Sequence, residues 1–253
     1  MQKVVLENLL ALARDIVVTA SKEILNGFCQ IRQVRAELQR DVKILADQEL
    51  DRFIVEQLSQ RSIFPVLSEE SGLSQASNSK KNYRWIVDPL DGSMNFSRTI
   101  PICCISIAFW QDMNPLIGVV YDFNRDELFT GIVGVGSWLN DSPISISSTK
   151  NASNSILATG FPVSSDFTHK TLSKFVDDIK IYKKIRLLGS AALSLAYVSC
   201  GRVDIYQEND IKIWDVAAGI SLVRAAGGMT KLTPSNVKEI VTVQASNSNL
   251  FEN

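Results

Sequence analysis

Apolar residues recur at positions 6, 9, 10, 13, 16, 17, 20 and 24, the spacing of one helix face, while Glu7, Arg14 and Asp15 fall among them as charges. That pattern predicts an amphipathic helix packed on a core; a signal peptide or a membrane span needs an uninterrupted apolar block. Asn26 and Gly27 supply a stop, and Cys29 to Leu38 reads as a strand. Helical spacing resumes over 42–60 through Ile44, Leu45, Leu50, Phe53, Ile54 and Leu58, which puts Asp47 early in a second helix. Phe64 to Leu67 is a short apolar run ending in Ser68, Glu69, Glu70, Ser71 and Gly72, and the polar stretch 73–82 reads as a mobile surface loop. Tyr83 to Val87 is a strand of bulky residues. The segments 102–110, 116–123 and 127–133 then form a predicted meander, followed by a tight turn at Trp138 to Pro143 built on Asn140-Asp141.

From Ser155 the pattern alternates. Strands are predicted over 155–161, 181–187 and 202–207, and helices over 168–180 and 190–200. A small-residue helix then opens at Trp214 and closes at Gly227 and Gly228, and final strands follow over 229–232 and 239–245. Such alternation predicts layered α/β packing. No repeat or linker divides the chain. Its 253 residues suit one domain of two intimately packed lobes, an N-terminal α+β lobe to about residue 145 and a C-terminal α/β lobe from about 146.

Charge and cysteine usage narrow the chemistry. A formal charge of -1 and a pI near 5.9 leave no electrostatic case for nucleic acid as the main partner. Cys29, Cys103, Cys104 and Cys200 form no C-x-x-C pair, and the one histidine, His169, lies between Thr168 and Lys170 in a polar segment. A zinc site or a serine–histidine triad is therefore disfavoured, and the cysteines read as reduced core residues of a cytoplasmic protein.

Acidic residues carry the candidate chemistry. The stretch from Trp85 to Phe96 reads Trp-Ile-Val-Asp-Pro-Leu-Asp-Gly-Ser-Met-Asn-Phe: a strand running into Asp88 and Asp91, with Pro89 fixing one φ between them and Gly92 permitting a sharp turn after them. Two carboxylates aimed at one point repel unless a cation lies between them, and hard oxygen donors suit Mg²⁺. Taken alone, the spacing fits either a metal site or an ordinary acidic turn. Glu69 at the tip of another strand and Asp215 in the first turn of a helix add two further acidic tips, although the latter position also suits a capping or dipole role.

Glu-Glu-Ser at 69–71, Asp-Pro-Leu-Asp-Gly-Ser-Met-Asn-Phe at 88–96, Leu-Gly-Ser-Ala-Ala-Leu at 188–193 and Trp-Asp-Val-Ala-Ala-Gly at 214–219 resemble, in order and spacing, the motifs of the inositol monophosphatases, within the lithium-sensitive, magnesium-dependent phosphatases. The resemblance covers nearly the whole chain and implies a five-layer α/β/α/β/α sandwich. It further implies two or three Mg²⁺ ions, replaceable by Mn²⁺, held by Glu69, Asp88, the Leu90 carbonyl, Asp91 and Asp215. Asp47, Ser93 and Glu69 take catalytic roles, Asp47 pairing with the Ser93 hydroxyl to orient water; from spacing alone Asp47 is equally a solvated helix acid beside Lys43 or Asp51. Gly92 and Ser93 present backbone N–H groups to phosphate, and Gly189, Ser190, Ala191 and Glu208 face the leaving group.

Glu70 reads as a partner behind the ligands, with direct ligation left open, and Lys212 as facing substrate, Glu208 or solvent. Ser93 replaces the usual family threonine and keeps its hydroxyl. Met94 stands where inositol phosphatases commonly have a second threonine and bisphosphate nucleotidases a lysine. The implied substrate is a small phosphorylated polyol or sugar, with fructose-1,6-bisphosphatase and adenosine 3′,5′-bisphosphate nucleotidase activities as alternatives. A partner-binding protein on the same fold is the non-enzymatic alternative. Relatives imply a homodimer, with no membrane partner.

Overall fold

The N-terminal stripe forms helix α1 (Lys3–Asn26), which buries Leu6, Leu10, Ala13, Ile16, Val17 and Ala20 and leaves Glu7 and Asp15 in solvent. A computed structural model of the protein describes residues 1–26, 34–38, 41–74, 83–161, 165 and 167–251. Within the predicted strand from Cys29, β1 (Val34–Leu38) pairs antiparallel with β2 (Asp41–Ile44), and Cys29 lies outside the described residues. The second helix starts later than its apolar spacing suggests: Ile44 closes β2 in extended backbone, and α2 (Leu45–Arg61) begins after it, burying Leu50, Ile54 and Leu58.

Eight strands build the first sheet: β3 (Val66–Ser68), β4 (Gly72–Leu73), β5 (Tyr83–Asp91), β6 (Cys104–Gln111), β7 (Asn114–Asp122), β8 (Glu127–Ile132), β9 (Gly136–Leu139) and β10 (Ser142–Ile144). Their spatial order is β10-β9-β8-β7-β6-β5-β3-β4. A short helix, α3 (Ser93–Ser97), follows β5. The Asn140-Asp141 turn joins β9 to β10 with φ of 46° and 65°, the left-handed geometry of a two-residue hairpin. Of the polar stretch 73–82, Leu73 belongs to β4, and 75–82 lie outside the described residues. One pairing matters most for the site. Strands β3 and β5 run parallel with Ser68 beside Val87, so Glu69 and Asp88 leave the same end of the sheet as neighbours.

The second sheet holds β11 (Ile156–Ala158), β12 (Lys184–Arg186), β13 (Ile205–Lys212), β14 (Met229–Pro234) and β15 (Ile240–Ser246), ordered β12-β11-β13-β15-β14. Strand β13 outruns its predicted end at 207 because, past a bulge between Glu208 and Ile211, it keeps pairing with β15 as far as Lys212. The helices of this half are α4 (His169–Ile179), α5 (Ala191–Ser199), α6 (Ile213–Ala225) and the short α7 (Ser248–Phe251), which no apolar period announces.

Helix α6 is apolar all round, burying Trp214, Val216, Ala217, Ala218, Ile220, Leu222 and Val223, as a helix between two sheets must be. Trp110 Nε1 donates to Ala217 O (3.2 Å) and Ser221 Oγ (3.1 Å), pinning the first sheet to it. One core joins α1 and α2 to a face of the first sheet; a second joins Leu67, Ile86 and Trp110 on the other face to α5, α6 and Val243 and Ala245 of the second sheet. A small third core of Leu157, Ile205 and Leu250, with Ile179 packed against it, lies under α4 and α7. The layers therefore run helix, sheet, helix, sheet, helix, which is the predicted five-layer sandwich. Among the described residues no helix is long and apolar enough to cross a membrane.

Candidate active site

Parallel pairing brings Glu69 beside Asp88, and Glu69 N donates to Val87 O at 3.3 Å. Strand β5 pairs with β6 at Asp88–Ser106 and again at Asp91–Cys104, with a register shift between, so the Pro89-Leu90 step bulges out of the ladder. Asp215 arrives from the first turn of the buried helix α6. Carboxylate oxygens of Glu69, Asp88 and Asp215 thus lie within 4.8 Å of one another. Burial, then the charges of Glu69, Asp91, Asp215 and Asp47, push the Asp88 carboxyl well above the usual range. Asp215 is raised in the same way by burial and by Glu69, Asp91 and Glu208, with Lys212 opposing. Lys212 itself lies over the Trp214 ring, its Nζ 5.3 Å from the centroid.

Asp91 is held differently. Ser190, the N-cap of α5, donates from Oγ to Asp91 Oδ2 at 2.5 Å while accepting from Leu193 N (3.3 Å), and Ala192 N donates to the same Asp91 oxygen at 2.8 Å. Cys104 Sγ stands 3.8 Å away. Burial lifts the Asp91 carboxyl to about 6 against the lowering effect of these donors. Asp91 is accordingly outside the tightest group of three, yet its charge acts on Asp88 and Asp215. The Ser190 hydroxyl, expected at the leaving group, is engaged on Asp91.

Asp47 is buried at the third position of α2, where its Oδ2 accepts from Ile44 N (2.8 Å) and its Oδ1 from Ser93 Oγ (2.7 Å). The solvated-acid alternative for Asp47 does not describe this residue. Leu90 O lies 2.9 Å from the same serine hydroxyl. Gly92 turns the chain at φ 91°, and a Cβ there would stand 2.7 Å from Ile102 O, so the turn requires glycine. It opens α3, whose first N–H groups have no carbonyl within the helix to reach. Met94 is exposed. Glu208 lies on β13, where Tyr206 Oη donates to its Oε2 at 2.8 Å; burial carries its carboxyl up to about 7, with Tyr206 opposing and Asp91 adding to the rise. A cavity of about 600 Å³ opens beside Glu208, walled by Gly160, Phe161, Lys174, Phe175 and Tyr182, and the three clustered carboxylates do not line it.

Three residues that sequence reasoning passed over support this arrangement. Asp51, one turn beyond Asp47, is buried and accepts a short hydrogen bond from Ser68 Oγ, fixing the strand end that carries Glu69; its i, i+4 spacing from Asp47 was the available signal. Tyr206 is two residues from Glu208 and so shares its strand face. Asn95 Nδ2 donates to Ile102 O (2.8 Å) and Leu188 O (2.9 Å), tying the turn after β5 to the segment before α5, and nothing in its local pattern announces that role.

The clustered donors are all carboxylate oxygens, and burial, reinforced by the neighbouring carboxylates, raises the proton affinity of Asp88 and Asp215. That chemistry fits a hard divalent cation. Residues 5–249 match the sequence model of the inositol monophosphatase family. The chain belongs to that family. Among its relatives, the Nus factor SuhB of Xylella fastidiosa is 41% identical over 203 residues, covering 78% of this chain and 70% of that protein. The inositol-1-monophosphatase of a Synechocystis species is 36% identical over 228 residues, covering 88% and 78%. The extragenic suppressor protein suhB from Bartonella henselae superposes with a TM-score of 0.85 at 31% identity, covering 96% of this chain and 95% of that one. Membership in the inositol monophosphatase family supports a phosphatase.

Proposed function

We propose that the protein is a Mg²⁺-dependent phosphomonoesterase that hydrolyses myo-inositol monophosphate or a similar small polyol or sugar phosphate in the cytoplasm. The observation that carries this reading is the meeting of Glu69, Asp88 and Asp215 within 4.8 Å beside a Ser93–Asp47 hydrogen bond of 2.7 Å. Glu69, Asp88, Asp215, Asp91 and the Leu90 carbonyl are the proposed ligands. Divalent cations held there supply positive charge to the phosphoryl group and to the alkoxide that leaves.

The chain's own residues do the rest. Asp47 accepts the Ser93 proton in a hydrogen bond, which turns a serine lone pair outward to accept from a water and aim it at phosphorus. Backbone N–H groups at Gly92 and Ser93 receive phosphate oxygens at the start of α3. Ser190 and Ala192 N fix one oxygen of Asp91, leaving the other for ligation. Glu208, oriented by Tyr206, accepts from ring hydroxyls of the leaving group.

Rates of phosphate release from myo-inositol 1-phosphate, fructose 1,6-bisphosphate and adenosine 3′,5′-bisphosphate, with and without Mg²⁺, test the reading. The inositol ester should dominate and the rate should vanish with EDTA; a dominant nucleotide rate would overturn the substrate assignment. Relatives named Nus factor SuhB favour a second reading, in which the same fold also binds a macromolecular partner. A pure protein inactive on all three esters that co-purifies with a partner would make that reading the better one.

A further inference from the structure

Behind the carboxylate cluster, toward the other end of β5, lies a cavity of about 240 Å³ walled by Leu67, Leu73, Arg84, Met113, Ile213 and Val237. Leu67 stands two residues before Glu69, Arg84 four before Asp88 and Ile213 two before Asp215, so the cavity touches all three elements that deliver the cluster. By strand alternation Arg84, Ile86 and Asp88 share one face, and four residues of strand put Arg84 about 13 Å from Asp88 along the chain direction. The cavity is therefore separate from the candidate active site.

Arg84 is the unusual member. Its Nε is buried with no hydrogen-bond partner, and among the described residues no carboxylate pairs with its guanidinium. A guanidinium is a planar fork of N–H donors that matches a carboxylate in two parallel hydrogen bonds, and Arg84 forms part of the cavity wall. The other cation on the wall, Lys238, has its Nζ 3.2 Å from Glu239 Oε1, so that pair offers no net charge. Among the described residues of the wall, what remains is a single uncompensated positive fork, with Ser235 as the one other polar side chain among apolar residues. Ile213 N donates to Glu239 O at 2.8 Å, holding the floor of the chamber against the start of α6.

We propose that this cavity is a binding site for a small organic monoanion with an apolar body, a short aliphatic or aromatic carboxylate, whose two oxygens meet the Arg84 guanidinium while its carbon skeleton lies against Leu67, Ile213 and Val237. Among the described residues a phosphate dianion finds no second unpaired cation there. The proposal is independent of the phosphatase reading, since its test uses neither substrate nor metal.

The test is isothermal titration of the whole protein in EDTA, which prevents a carboxylate from binding through a metal, with hexanoate and phenylacetate as probes and hexanol and inorganic phosphate as controls. Both carboxylates should bind saturably at concentrations up to about 10 mM, ten times a Kd of about 1 mM, and the controls should not. Arg84→Met should abolish binding. Val237→Glu, at an exposed position, should do the same by presenting its own carboxylate to Arg84, and so decides the matter if the first variant fails to fold. No saturable heat with the wild-type protein, equal binding of hexanol or phosphate, or undiminished binding by the folded variants would overturn the site.

Discussion

At the scale of single residues, the proposed chemistry depends on buried carboxyl groups gathered at one place and on Ser93, hydrogen-bonded to Asp47 and proposed to aim a water. Ser93→Ala should lower kcat by about a hundredfold or more while leaving KM nearly unchanged, and Ser93→Thr, which restores the hydroxyl, should restore the rate. An unaltered kcat in the alanine variant would remove Ser93 from the chemistry. The pH dependence follows from Asp91, whose carboxyl rises from 3.8 to about 6 through burial. A raised carboxyl pKa means the native state holds the proton more tightly than the unfolded chain, so this contribution to stability is lost as pH rises from about 4 through about 6. Metal binding needs the deprotonated form. The melting temperature of EDTA-treated protein should therefore fall across that window, and Mg²⁺ should raise it more at about pH 8 than at about pH 5. A Mg²⁺ shift independent of pH would contradict the carboxylate cluster as the binding site. Asp88, Asp91 and Asp215 were legible in the sequence as candidates, the first two because an apolar strand runs into them and Asp215 because a run of small residues follows it. Asp51 and Asn95 were not, because their partners, Ser68 and Leu188, are set by tertiary packing.

At the scale of elements, one-sided burial leaves a readable period, as in α1, while two-sided burial leaves none and has to be read from other signals. Helix α6 was found by its small residues and closing glycines, although its buried sides leave no stripe. The short strands β9 and β10 were read only as a turn, since three- and four-residue strands carry too few positions to show alternation. Close contact of α5 and α6 makes a specific demand: a Cβ at Gly219 would stand 2.3 Å from Leu195 Cβ. Gly219→Ala gains helix propensity of about 1 kcal/mol, yet overpacking of about 1–3 kcal/mol opposes it. Because contact at that distance forces the helices apart, the balance should be a loss of stability, seen as a lower urea midpoint at unchanged slope. A midpoint equal to or above the wild type would show that α5 and α6 can separate freely. Such a shift would also disturb the site, because α5 carries the Ser190 cap on Asp91 and α6 carries Asp215.

At the scale of the whole molecule, the candidate site exists only where the two halves of the chain meet. Glu69, Asp88 and Asp91 come from the first sheet and Asp215 from the helical layer behind it. Asn95 bonds across to Leu188, and Arg202 makes a bidentate pair with Glu127 at 2.6 Å for each contact, joining the segment before β13 to the start of β8. The five layers were legible from the alternation of elements together with the family resemblance. Which strands run parallel was not, and it is the parallel β3–β5 pair that sets Glu69 beside Asp88. The central claim is that these remote acids gather around divalent cations at a phosphate-binding turn. Anomalous diffraction from crystals soaked in Mn²⁺ and phosphate tests it most directly. The account predicts Mn²⁺ peaks coordinated by Glu69, Asp88, Asp91 and Asp215 with phosphate against the Gly92-Ser93 turn; peaks elsewhere, with these four side chains free of metal, would contradict it.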